Sequence, residues 1–272
     1  MNRRAIRAIV RKDLRVVVQS KAVIAPLIIV PIIMLVVLPG LAGLAPLAGN
    51  MAANDMKDLA QFISNMPAGL QAEVADLNEA QTWVFLSLVY FLAPMYLIIP
   101  LMVASVIAAD SFAGEKERKT LEALLYTPTT DQELFLGKIL AAWLPAVAVA
   151  WGGFVIYAVV ANLSAWPTMG RIFFPTPMWI LLALWVAPAA AGLGLSAVVL
   201  VSSRVQTFQE AYQMGSTVVL PVVLLIIGQA TGVIYFSLEA VLLLGIVLWI
   251  IDAVLLWWGG RSFQRGEIIA RL

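Results

Sequence analysis

Two groups of polar side chains sit inside otherwise apolar sequence, and they bound the chemistry this chain could do. Gln206, Glu210, Gln213 and Thr217 step by four, three and four residues, so on a helix they would share one face. Asp252 interrupts an apolar run from Val241 to Gly260. Neither group is joined by a histidine or a cysteine, because the chain has none. The commonest general base, the commonest metal ligand and every thiolate site are thereby excluded. A membrane hydrolase or metalloenzyme would lack its usual parts. In hydrocarbon a polar stripe or a lone carboxylate is costly, so each should face protein or a water-filled path. The stripe suits a pathway lining or hydrogen bonding between helices. Asp252 suits a functional intramembrane charge or a structural pair with Arg204 or another cation near that edge.

A third group lies between apolar runs. Ser111 to Lys138 reads SFAGEKERKTLEALLYTPTTDQELFLGK. Glu115 can pair with Arg118 or Lys119 at helical spacing. Leu121, Leu124 and Leu125 supply a compact apolar face, and Pro128 ends the helix because the residue before proline disfavours helical geometry. Thr130 and Glu133 then form a capping-box pattern that starts the next helix. This spacing predicts a short, charged, surface-parallel helix held between two membrane helices, a handle that a partner could push.

The elements that must position these residues follow from composition. The chain is 62% hydrophobic and 12% charged, against about 45–50% and about 25% in soluble domains. A water-soluble fold of 272 residues could not hide so much apolar surface, so the bilayer is the solvent. Charges cut the chain into six apolar runs, near 22–47, 82–109, 136–161, 178–201, 212–235 and 239–259. Each is about the length a membrane helix needs, about 20 residues, and lipid-exposed backbone must be helical to satisfy its own hydrogen bonds. The fold class is thus an all-α polytopic membrane protein, a single transmembrane domain over residues 1–272. Prolines 26, 31, 39, 94, 100, 145, 188 and 221 predict kinks in the first five runs.

Placing the N-terminus inside puts fifteen of the seventeen Lys and Arg on the cytoplasmic side and only Lys57 and Arg171 outside. Both termini are then cytoplasmic, and Ser111–Lys138 is a cytoplasmic loop. Residues 1–20 read as a basic amphipathic helix in the membrane interface. Ile6, Ile9, Val10, Leu14, Val17 and Val18 fall on one face, and Arg4, Arg7, Arg11 and Arg15 on the other. Residues 50–80 read as two short amphipathic helices, split at Pro67, that cap the outer face. The loop at 162–177 carries Trp166, Phe173 and Phe174, read as an interfacial aromatic belt. Gly228 and Gly232 form a G-x-x-x-G suited to close helix approach.

The stretch Phe112-Ala113-Gly114-Glu115-Lys116-Glu117-Arg118, with Thr120-Leu121-Glu122, Leu124-Leu125, Thr127-Pro128 and Leu136-Gly137-Lys138, resembles the signature of ATP-binding-cassette type-two permeases. Lys119 stands where that family often has glycine. The layout agrees too: a basic interfacial helix, six spans, and an outer segment after the first. The resemblance implies that residues 111–134 are a coupling loop that docks on a separate ATPase, through Gly114, Glu115, Arg118, Thr120, Leu121 and Glu122. It implies two permeases and two ATPases per complex, as a homodimer or with a close paralogue, in the plasma membrane of a prokaryote, exporting a substrate. The fifth span, with Gln206, Glu210, Gln213 and Thr217, would then lie near the dimer axis. ATP and magnesium would sit on the partner, and the chain itself needs no cofactor. It has no G-x-x-x-x-G-K-[ST], since Gly137-Lys138 is followed by Ile139. The partners implied are ATPase subunits, a second permease copy and lipid, with no nucleic acid. The rival reading is an ion-coupled transporter or channel subunit, which would call for internal repeats and more intramembrane charge.

Overall fold

The computed structural model describes residues 3–48, 63–64, 66–120, 129–202 and 204–262. Among these residues there is helix and no strand. Among the described residues six helices are long and apolar enough to cross a membrane: Val23–Ala48, Glu79–Glu117, Asp131–Met169, Pro177–Ser202, Phe208–Ala230 and Leu238–Gly260, here called spans one to six. An amino-terminal helix, Arg3–Gln19, precedes them.

The prolines do what their missing N–H groups require. In spans one, two, four and five a widened or tightened turn ends two or three residues ahead of a proline: Ile33–Val37 before Pro39, Leu86–Phe91 before Pro94, Leu182–Val186 before Pro188, and Ser216–Val219 before Pro221. Such turns absorb the clash between the proline ring and the preceding turn. Pro26 and Pro31 of span one, and Pro145 and Pro167 of span three, lie instead inside regular helix. Carbonyls next to the span-two irregularity find side-chain donors. Tyr157 donates to Leu88 O at 2.6 Å, Trp179 to Val89 O at 2.7 Å, and Gln229 to Tyr90 O at 2.8 Å. Backbone without water is thus kept paired.

Span two is the axis of the bundle. Its sides pack on spans three and four; span one packs on span three, and span six on span four. Small residues set the distances. Gly194 lies against the Leu101 carbonyl and Ser105 on span two, and Gly43 of span one lies against Ser164 of span three. Phe174 is not in an interfacial belt, as the sequence suggested. It is buried with Tyr157 and Trp179, ring centroids 5.2 and 4.9 Å away, while Trp166 stays exposed. The chain turns back at Gly170, so Phe174 reaches into the bundle rather than the headgroups.

Of the expected outer helices, Ala68–Val74 forms, with Met66, Leu70 and Val74 buried. Glu73 accepts a hydrogen bond from Tyr90 of span two at 2.7 Å. Residues 49–62, which would carry most of the other helix, lie outside the described residues.

Candidate functional site

The amino-terminal helix turns one edge of its apolar face to the protein, with Asp13 buried among it. Ile9, Asp13 and Val17 are buried, four residues apart, while Val18 is 68% exposed. The helix lies on the start of span three, where Gly137 leaves room for Ile9. Span three begins as its capping box requires: Thr130 Oγ1 accepts from Glu133 N at 3.3 Å, and Glu133 accepts from Thr130 N at 3.1 Å. That start fixes Lys138 two turns in.

Span two does not stop at residue 109. Its helix continues through Asp110–Gly114 and Glu115–Glu117, buried up to Glu115. The expected surface-parallel helix therefore does not begin at Ser111: up to Glu117 the segment is the inner end of a membrane helix. The helix closes in a Schellman motif, with Thr120 N donating to Glu115 O and Lys119 N to Lys116 O, both at 3.0 Å. Lys119 sits at φ 54°, in the left-handed region that glycine occupies without strain. Leu121 and Glu122, and with them Leu124, Leu125 and Pro128 of the expected surface helix, lie outside the described residues.

Buried charges meet where these three helices converge. Glu115, 3% exposed, is held by Lys12 of the amino-terminal helix and by Lys138 of span three, itself fully buried. Lys138 also donates to Ser111 O and lies 5.3 Å from the Phe112 ring centroid. Asp13 pairs with Lys12 at 3.0 Å and accepts from Ser111 Oγ at 3.0 Å. Two lysines and two acids thus balance in formal charge. Burial works against the Lys12 ammonium, but Glu115 and then Asp13 outweigh it and hold the group above its ordinary value.

The next three residues each take another partner. Lys116 donates to Ser202 O at 3.1 Å, the end of span four. Glu117 accepts from Phe208 N at 2.9 Å, the start of span five, where a carboxylate complements the helix dipole. Arg118 returns to Asp110 at 2.8 Å, a hydrogen bond that raises its pKa against partial burial. The expected Glu115–Arg118 pairing is replaced: Glu115 belongs to Lys12 and Lys138, and Arg118 to Asp110. Gly114 is packed against Asp110 and the Arg118 guanidinium. Thr120 Oγ1 donates to Glu115 O at 3.4 Å. Sequence reasoning gave Asp13 and Lys12 no place in the site, and named Lys138 only as part of the family signature. An acid in an otherwise basic helix, in register with Ile9 and Val17, was the available signal.

The polar stripe is only partly a stripe. Span five starts at Phe208 with Thr207 as its cap, and Gln206 precedes it, its N–H donating to Glu210 at 3.2 Å. Glu210, Gln213 and Thr217 follow on the helix and are exposed on the single chain. Asp252 takes no cation: it is 2% exposed and neither carboxylate oxygen has a hydrogen-bond partner. The expected pairing with Arg204 is absent, and Arg204 is exposed. Among the described residues there is no group of three or more acids that could hold a metal ion.

Comparison with known proteins gives this arrangement a family. The chain is similar to the ABC transporter permease protein NatB of Bacillus subtilis (strain 168), 33% identical over 97 residues, which is 35% of this chain and 24% of NatB. The match spans about a quarter of that relative's length. A family model described as ABC-2 family transporter protein matches residues 7–250, from the amino-terminal helix to within span six. Six apolar spans and a match over nearly their whole extent lead to one conclusion: the chain belongs to the ABC-2 family of transporter proteins, as a membrane permease subunit.

Proposed function

We propose that this permease exports a substrate from the cytoplasm with energy from separate ATPase subunits, and that residues 114–122 receive the ATPase stroke. The supporting observation is the fan of partners at Glu115–Arg118. Four consecutive charged side chains reach the amino-terminal helix, span three, the end of span four, the start of span five and span two itself. A push on this segment moves five helices at once, because packed interiors shift as rigid pieces rather than deform smoothly. The basic end of the bundle faces the cytoplasm, and both termini lie there. Two permeases pair, and two ATPases carry ATP and magnesium. Glu210, Gln213 and Thr217, exposed on one chain, line the inner mouth between the two copies, with Gln206 at its rim.

Glu122→Arg, placed on the connection itself, tests the docking. The variant is expected to insert normally, yet to lose co-purification with the ATPase or to leave ATP hydrolysis insensitive to the permease. Normal assembly and normal coupling would remove the assignment. Single cysteines at 206, 210, 213 and 217 report the mouth without background, since the chain has no cysteine. A water-soluble thiol reagent should label them in the nucleotide-free complex and label them less with ATP trapped. Equal protection in both states would make the stripe packing polarity.

A further inference from the structure

Spans four and six run parallel in a seven-residue register. Trp185 meets Gly245, Asp252 meets Gly192, and Val199 meets Gly259. The steps 185, 192, 199 and 245, 252, 259 are heptad steps, the spacing that keeps one seam of two parallel helices in contact. At each level a side chain from one helix enters a glycine notch on the other. A Cβ at Gly192 would collide with the Asp252 carboxylate, and one at Gly245 with the Trp185 ring. Asp252 is therefore a knob of this seam, seated where an apolar residue would be expected.

Among the described residues nothing around it balances a charge. Span four, Pro177–Ser202, contains no ionisable residue. Toward the far end the next layer is Trp185 against Trp249, ring centroids 5.9 Å apart. Toward the basic end Phe135 of span three abuts Gly260. The ionisable groups of span three are Asp131, Glu133, Lys138 and Tyr157. Lys138 is held by Glu115, Glu133 caps its own helix, and Tyr157 bonds Leu88 O. Span six itself offers Glu239, near its other end. A buried carboxylate with neither counter-ion nor donor is among the costliest groups a protein can hold, whereas the neutral acid is tolerable. A hard cation would need several oxygen ligands converging there.

We propose that Asp252 is a proton-binding site, and that spans four and six close over its neutral acid. The proton comes from water at the basic end, about 10 Å away along seven helical residues. It returns there when the seam opens and water reaches the carboxylate. This reading does not depend on the ATPase assignment.

Infrared spectroscopy of the full chain in lipid, labelled with carbon-13 at the aspartate carboxyls, tests it. The chain has seven aspartates, so subtracting the Asp252→Asn spectrum from the parent isolates one of them. At neutral pH the expected difference is loss of a protonated-carboxyl band, with carboxylate intensity unchanged. Loss of carboxylate intensity instead would overturn the proposal. Should that intensity also shift when sodium and potassium are exchanged for choline, a cation site would replace the proton site. Asp252→Ser is read in the same way if the amide variant does not insert.

Discussion

Glu115 and Asp252 are both buried carboxylates on membrane-spanning helices, 3% and 2% exposed. Glu115 sits between Lys12 and Lys138, with Asp13 and Ser111 completing the group. Asp252 sits in a glycine notch between two helices and touches no donor. One acid draws partners from two other segments of the chain, and the other meets a helix with no charge to offer. The difference separates two uses of a buried charge. An ionic cluster with complementary partners ties segments together, and removing one member strands the rest. A carboxylate with no partner cannot serve as a tie, and its state depends on whether water reaches it.

The largest effect that would break this contrast is expected at Glu115. Glu115→Gln leaves two lysines without their shared counter-ion and should cost about 3–5 kcal/mol, the range for breaking a buried pair from one side. Denaturant unfolding in detergent measures it, with Asp252→Asn as the matched control, expected near neutral. Equal losses in the two variants would erase the distinction. A smaller effect is expected at the seam. Gly192→Ala places a methyl against the Asp252 carboxylate and should cost roughly 1–3 kcal/mol, as overpacking does. The double variant Gly192→Ala with Asp252→Ala should recover most of that loss, and a purely additive outcome would show that the two residues do not share the notch.

The smallest effect is at alkaline pH. Lys12 is raised above the ordinary lysine value of 10.5 by Glu115 and Asp13, although burial opposes it. A raised basic group contributes its stability in full below its unfolded value and loses it as pH climbs through the folded one. Stability should therefore show a decline above pH 10.5 that Lys12→Met abolishes. Its size is small, because the Lys12 side chain is 39% exposed and screened by solvent. An unchanged alkaline decline in Lys12→Met would remove Lys12 from the balance.

Much of this was readable in advance where the governing interaction is local. The capping box at Thr130 and Glu133 formed as its spacing dictates, because both partners lie within one turn. The left-handed turn at Lys119 occupies the position where the family signature often carries glycine. The Glu115–Arg118 pairing failed for the complementary reason. Spacing on one helix sees only neighbours on that helix, and Glu115 found Lys12 at a separation of 103 residues. Likewise the amphipathic pattern of Arg3–Gln19 showed that the helix has two faces. It put Ile9 and Val17 on the apolar face but did not show that Asp13 would be turned to the protein with them.

By itself the sequence determined that this chain lives in a bilayer as six helices, because run length, charge placement and proline position act through the backbone's need to satisfy its own hydrogen bonds. Only the tertiary structure decided which charges meet. Lys12, Glu115 and Lys138 come from three helices, and the amino-terminal helix comes close to span three because Gly137 leaves room for Ile9. Asp252 remains without a partner because the helix packed against it happens to carry no charge, and that adjacency is a fact of three-dimensional packing rather than of any local pattern.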